Sequence, residues 1–118
     1  MIFIQYPTCT TCKKAKKFLN DNQVTYTERH IAEERPTENE LSRWIAMSGK
    51  EIKKFFNTSG NVYKTEHIKD ILPTLSEDEK IALLAGNGML VKRPILVLED
   101  RVLVGFKEDE WKEALSID

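Results

Sequence analysis

A strand, a helix and a second strand follow one another within about 28 residues of the N-terminus, and this succession leaves few folds open. Residues 2–6 form a mostly apolar run that Pro7 stops. Residues 13–22 place apolar side chains at helical spacing, with lysines on the opposite face. Val24 and Tyr26 then alternate with polar residues, which predicts a second strand. A β-α-β unit this short requires parallel strands joined by a right-handed crossover.

The rest of the chain contains helical patterns followed by a strand pair and one more helix. Two segments, which begin at Thr37 and Ser76, have the form Ser/Thr-x-x-Glu. This pattern is the capping box, which is typical of helix N-termini. In chain order, the patterns predict a capped helix from Thr37 to Gly49, a short helix near 52–56, a partly helical segment over 62–72, a capped helix from Ser76 to Gly86, a β-hairpin from 95–98 and 102–104, and a last helix over 108–115.

This order of elements predicts an α/β protein with a thioredoxin-like fold and a four-stranded mixed sheet. A β-α-β unit would be followed by a helical insertion over about 37–88, a β-hairpin and a terminal helix. We expect residues 1–118 to form a single domain, because 118 residues suit one hydrophobic core and no linker or repeat interrupts the pattern.

Charge and hydropathy exclude several classes of partner. The net charge of −1 and the sequence pI of about 6.2 give no overall basic field for direct binding of nucleic acid. No apolar run approaches the roughly 18 residues of a membrane helix, and the N-terminus lacks the basic leader of a signal peptide. We therefore expect a cytoplasmic protein without a membrane partner, and we expect a monomer.

The two cysteines of the chain form the motif Cys9-Thr10-Thr11-Cys12 between the first strand and the first helix. Unpaired N–H groups and the positive dipole end of a helix N-terminus favour a thiolate over a thiol. The thiolate is the reactive form in disulfide exchange. Cys12, one helical turn further on, could then attack a mixed disulfide formed on Cys9. Cys9 is thus the predicted nucleophile and Cys12 the predicted resolving residue.

Neighbouring residues extend this candidate site. We expect the side chains around the cysteine pair to position a substrate, and Lys13 to add favourable charge. These expected positioning residues are Thr8, Thr10, Thr11, Lys13 and Pro94. The wider cluster of Lys13, Lys14, Lys16 and Lys17 forms either the solvated face of an amphipathic helix or a positive surround for the thiolate.

The cysteine pair could also have a role without redox chemistry. It could be half of a zinc site, but zinc needs about two further ligands, and His30 and His67 show no paired spacing. The cysteines could equally be two inert core thiols. In a reducing compartment, the spacing favours redox chemistry, so no metal and no bound cofactor are expected, with glutathione or another thiol as reductant.

Pro94 stands at the start of the third predicted strand, where a proline removes no needed ladder hydrogen bond. In thioredoxin-like folds the corresponding proline is cis and lies against the active-site cysteines. We therefore predict a cis bond between Arg93 and Pro94, with Arg93 directed toward the Cys9 sulfur or an anion beside it. The alternative is an ordinary proline that begins a strand, preceded by a solvated arginine.

The motifs taken together resemble one family along nearly the whole chain. Cys-x-x-Cys-Lys-Lys-Ala at 9–15, Asn57-Thr58, Tyr63 and Lys92-Arg93-Pro94-Ile95 are similar to the arsenate reductase (ArsC-type) and Spx/MgsR family. The resemblance implies that Cys9 is the catalytic cysteine. It also implies that Arg93 is one of three arginines that hold the oxyanion in the true reductases.

The resemblance breaks at the other two arginine positions, where this chain has Ser59 and Phe106. Because an oxyanion needs several charge-assisted donors, this difference favours general thiol–disulfide exchange over arsenate reduction linked to glutathione or glutaredoxin. We expect the partner to be a thiol or disulfide substrate, or a protein of the glutaredoxin or thioredoxin type.

Spx-like members of the family suggest a different class of function. They are transcription regulators that bind the RNA polymerase alpha subunit and use their CxxC motif as a redox switch. The resemblance implies that Gly49 stands near the glycine that helps them dock the polymerase. The sequence leaves this regulatory role open beside the enzymatic one.

Overall fold

A computed structural model describes residues 1–117 and places a four-stranded mixed sheet at the centre of the protein. The predicted thioredoxin-like α/β fold is confirmed. In chain order, the strands and α-helices are β1 (Ile2–Gln5), α1 (Thr10–Asp21), β2 (Thr27–His30), α2 (Glu38–Ser48), α3 (Asn61–Thr65), α4 (Ile68–Ile71), α5 (Glu77–Gly86), β3 (Ile95–Val97), β4 (Val102–Val104) and α6 (Glu108–Ala114), with short 3₁₀ helices at Ile52–Phe55, Leu72–Thr74 and Gly88–Leu90.

The sheet has the strand order β2-β1-β3-β4. β1 and β2 are parallel, as the crossover through α1 requires, with Ile2 opposite Thr27. β3 runs antiparallel to β1 and to β4, with Ile95 opposite Ile4 and Val104. Because β1 is a central strand, the loop that follows it lies beside the start of β3.

Alternate side chains of the central strands fill two separate cores, which explains their nearly continuous apolar sequence. Phe3 and Leu96 pack on one face of the sheet with α1 and with the fully buried Trp111 of α6. Ile4 and Ile95 pack on the other face with residues of the helical segment between β2 and β3. The smaller core therefore fixes the position of α1 on the sheet.

The second strand lies later in the chain than its pattern predicted. β2 is Thr27–His30, and the predicted strand at Val24 and Tyr26 is wrong. Gln23 has a positive φ of 57°, and the N–H of Val24 still donates to Leu19 of the preceding helix. Val24 and Tyr26 pack against the smaller core instead, so their alternation reflects burial without strand pairing.

The helical segment between β2 and β3 begins as the sequence predicts. Thr37 and Ser76 are both N-caps with complete capping boxes. Glu40 of the first box also receives two hydrogen bonds of 2.7 Å from the guanidinium of Arg29, which ties α2 to β2. Together these hydrogen bonds hold the pKa of Glu40 far below its usual range, at about 2.

Gly88 lies in close contact with the turn that follows β2. A Cβ atom at this position would overlap the carbonyl oxygen of Ile31 and lie 2.9 Å from the Cα atom of Ala32. Only glycine permits two backbones to approach so closely.

Within residues 1–117, no helix is both long and apolar enough to cross a membrane.

Candidate active site

Cys9 is the N-cap residue of α1, and the helix starts three residues closer to the N-terminus than the sequence predicts. The backbone N–H of Cys9 donates to the carbonyl oxygen of Tyr6 at 3.0 Å, and its carbonyl oxygen accepts from the N–H of Lys13 at 3.0 Å. Its sulfur accepts a hydrogen bond from the backbone N–H of Cys12 at 3.4 Å. The Cys9 sulfur thus takes the position in which Ser, Thr, Asp or Asn usually caps a helix.

The two cysteines are both free, and they differ in exposure and in acidity. Cys9 is partly exposed, whereas Cys12 is fully buried. Partial burial by itself raises the pKa of Cys9. Hydrogen bonds from the Cys12 thiol and N–H, together with the effect of Arg93, lower the pKa by more than burial raises it. The pKa of Cys9 therefore falls below its ordinary value. Burial, reinforced by Cys9, raises the pKa of Cys12 to about 12.

Arg93 reaches the cysteine pair from the start of β3, and the predicted cis bond between Arg93 and Pro94 is confirmed. Its guanidinium lies over the ring of Tyr6, with Cζ 5.0 Å from the ring centroid. Both its hydrogen bond and its charge lower the pKa of Cys9. Within residues 1–117 the buried Nη1 atom of Arg93 has no hydrogen-bond partner, so this donor is free to bind an anion.

The other predicted positioning residues surround the pair without forming side-chain hydrogen bonds to it. The side chains of Thr8, Thr10, Thr11 and Lys13 are all exposed. The charge that acts on Cys9 is that of Arg93, and Lys13 is not among the groups that lower its pKa. No group of three or more His, Cys, Asp or Glu side chains within the described residues is arranged to hold a metal ion.

Sequence reasoning missed two contributors to this site. The carbonyl oxygen of Tyr6 accepts a hydrogen bond from the N–H of Cys9, and the Tyr6 ring stacks under Arg93. The sequence indicates only a strand residue before a proline. The second contributor is the loop that begins at buried Asn57, whose N–H donates to Leu90 at 2.7 Å. This loop forms a cleft of about 230 Å³ with Arg93. In the sequence, Asn57 stands out only as part of a family motif.

The two positions where the family arginines are replaced have different surroundings. Ser59 lies in the same cleft as Arg93 and provides no positive charge. Phe106 packs edge-on against Trp111, with a centroid distance of 4.9 Å, and also contacts Phe18 at 5.6 Å. An apolar contact therefore stands where the resemblance to arsenate reductases implies an arginine.

The fold and the site together define a thioredoxin-like protein with a CxxC pair at the N-terminus of its first helix, beside a cis-proline. The chain belongs to the ArsC family, whose model matches residues 4–114.

Relatives of the chain cover nearly its whole length. It is 47% identical over 113 residues to the uncharacterized protein YusI of Bacillus subtilis (strain 168), an alignment that covers 96% of each chain. It is 32% identical over 109 residues to the global transcriptional regulator Spx of Staphylococcus saprophyticus, covering 92% of this chain and 82% of Spx. The crystal structure of an ArsC family related protein from Bacteroides fragilis is 56% identical, with a TM-score of 0.93, and covers 95% of this chain and 94% of that one.

Proposed function

We propose that this protein is a cytoplasmic, monomeric thiol–disulfide oxidoreductase in which Cys9 attacks a disulfide and Cys12 resolves the product. The observation that carries the proposal is the contrast between the two sulfurs. Cys9 is accessible, capped by the Cys12 N–H and favoured as a thiolate, whereas Cys12 is buried and favoured as a thiol. A nucleophile must meet its substrate, and a resolving thiol must stay protonated until the mixed disulfide exists.

The reaction balances as two successive exchanges. The Cys9 thiolate attacks one sulfur of a substrate disulfide, the S–S bond breaks, and the other substrate thiolate leaves with the electron pair. The Cys12 thiol then loses its proton to solvent or to the departing thiolate and attacks the Cys9 sulfur. The second substrate thiolate is released, the substrate gains two electrons, and the protein is left with a Cys9–Cys12 disulfide.

Regeneration needs two thiol equivalents, from glutathione or from a dithiol protein of the glutaredoxin or thioredoxin type. No bound cofactor takes part in these steps. Arg93 supports the first of them, because its charge and its hydrogen bond both favour the Cys9 thiolate. The exposed side chains of Thr8, Thr10, Thr11 and Lys13 would contact the substrate as it reaches Cys9.

A trapping experiment tests this assignment. The purified protein and its Cys9→Ser and Cys12→Ser variants are each mixed with a model peptide disulfide, and their intact masses are measured. We expect the unmodified protein to lose two hydrogens, Cys12→Ser to gain one half of the peptide, and Cys9→Ser to stay unchanged. A peptide adduct on Cys9→Ser, or no reaction of the other two proteins, would contradict the proposal.

A regulatory function is the second candidate, supported by the 32% identity to Spx. Gly49 ends α2 in the left-handed region, with φ of 68°, and is exposed beside a shallow cleft formed with Ile45 and Ile81. Binding to the C-terminal domain of the RNA polymerase alpha subunit would be measured for the unmodified protein and for Gly49→Arg. Tight binding that Gly49→Arg abolishes would favour the regulator over the enzyme.

A further inference from the structure

A groove with a lysine rim runs beside the cysteine pair and is not used by the exchange chemistry. Its volume is about 600 Å³, within the range of clefts that bind ligands. Thr11, which lies between the two cysteines in the chain, is one of its lining residues, and Phe56, Val104 and Phe106 provide its apolar part. We call it the lysine groove, and five lysines line it: Lys50, Lys53, Lys54, Lys92 and Lys107.

The charge of the lysine groove is strongly positive although the whole chain has a net charge of −1. Glu51 is the single carboxylate that lines it, and Lys50 is paired with Glu110 at 3.2 Å. The remaining four lysines have no carboxylate within 4.0 Å among residues 1–117. Four unpaired ammonium groups around one concave surface raise the local concentration of anionic ligands.

Backbone hydrogen bonds fix the groove to the active site. The N–H of Lys92 donates to the carbonyl oxygen of Phe55 at 2.7 Å, which joins the segment before the cis-proline to the 3₁₀ helix. The N–H of Gly105 donates to the carbonyl oxygen of Pro94 at 2.8 Å, which joins the end of β4 to the same proline. The groove walls and the Cys9 environment are therefore parts of one hydrogen-bonded unit.

We infer that the lysine groove binds an acidic segment of the substrate protein, next to the disulfide that Cys9 attacks. This inference rests on the proposed exchange function and adds the class of substrate. Cys9 does not line the groove, so a ligand that reaches both must extend from the reacting sulfur past Thr11. A chain segment has that reach. Lysine ammonium groups act as mobile point charges, so they suit several carboxylates along a chain better than one rigidly held anion.

The test uses peptide disulfides that release a coloured thiol when Cys9 attacks them. Three peptides carry glutamates, glutamines or lysines next to the same disulfide. Oxidised glutathione serves as a small acidic disulfide, and its reaction is followed by the mass of the glutathione adduct on Cys9. Reaction rates are measured with the Cys12→Ser protein at low and at high salt. At low salt we expect the acidic peptide to react about tenfold faster than the neutral one, and the basic peptide more slowly. The preference should vanish near 1 M salt, where the screening length falls to about 3 Å.

Matched charge variants locate the effect. Lys54→Gln/Lys107→Gln removes two exposed charges from different walls of the groove, and Lys64→Gln/Lys69→Gln removes two exposed charges from α3 and α4. We expect the groove pair to lower the acidic-peptide rate about fivefold at low salt and to leave the neutral-peptide rate unchanged. The control pair should leave both rates close to those of the Cys12→Ser parent.

Three results would overturn the inference while leaving the exchange function intact. Equal rates for the acidic and neutral peptides would exclude charge recognition. If the control pair lost as much rate as the groove pair, the loss would result from the change in overall charge and not from the groove. A fivefold loss for oxidised glutathione as well would make the groove a site for small thiols. Failure of the proposed function looks different, because then no disulfide would react at Cys9.

Discussion

The alkylation rates of the two active-site cysteines should differ by orders of magnitude. Only a thiolate reacts with iodoacetamide at an appreciable rate. Burial raises the pKa of Cys12 from an ordinary 9.0 to about 12. A shift of this size lowers the thiolate fraction near neutral pH about a thousandfold relative to an ordinary thiol. The pKa of Cys9 lies below 9.0, so its thiolate fraction is higher than that of an ordinary thiol.

Three variants assign the effect to single sulfurs. Cys9→Ser leaves only Cys12 and removes the smaller influence of Cys9 on it, while the burial that mainly raises its pKa remains. Cys12→Ser leaves only Cys9 and keeps a side-chain hydrogen-bond donor at position 12. Cys12→Ala removes that donor, so the pKa of Cys9 should be higher in Cys12→Ala than in Cys12→Ser.

The assay is the initial rate of iodoacetamide addition between about pH 5 and 10, followed by intact mass. We expect Cys12→Ser to show a midpoint below 9.0, and Cys9→Ser to react at least about a hundredfold more slowly at neutral pH, with no midpoint in this range. In concentrated urea both variants should react alike, because burial and the helix N-terminus are lost. Rates within about threefold of each other in the native state would refute the reasoning, since the environments of the two sulfurs would then be equivalent.

Three further changes have separate readouts. Arg93→Met should raise the pKa of Cys9, measured in the Cys12→Ser background by the same alkylation profile, and an unchanged midpoint would remove Arg93 from the site. Gly88→Ala should lower the free energy of unfolding by about 3 kcal/mol because its Cβ meets backbone atoms, whereas Gly86→Ala at the end of α5 has open space and should be neutral or stabilising in the same urea titration. Glu40→Gln should cost about 1–2 kcal/mol at neutral pH. Because the folded pKa of Glu40 is about 2 and therefore depressed, the stability it contributes is present above its ordinary value of 4.5 and is lost as pH falls toward 2. The difference between the two proteins in urea titrations should shrink over that window, and a constant difference would show that the ion pair is not its source.

The local chemistry of the fold could be predicted from the sequence to a large extent. The two capping boxes and the hairpin follow from short-range patterns, because capping and turn geometry depend on residues close together in the chain. The mixed sheet follows from the order of the elements, and the cis-proline was predicted only from the likeness to thioredoxin-like folds. The exception among the strands is instructive. Val24 and Tyr26 have the alternation of a strand but lie in a loop. Residues on one side of a segment can be buried by packing against a helix as readily as by packing within a sheet.

The sequence by itself determined that two sulfurs stand one helical turn apart at the end of the first strand. Only the tertiary structure decided their difference, because it buries Cys12 and brings Arg93 over Tyr6, which is far from Arg93 in the chain. The same holds for the lysine groove, whose residues come from four separate segments. Acidity and charge fields depend on distances through space, which the pairing of distant strands sets.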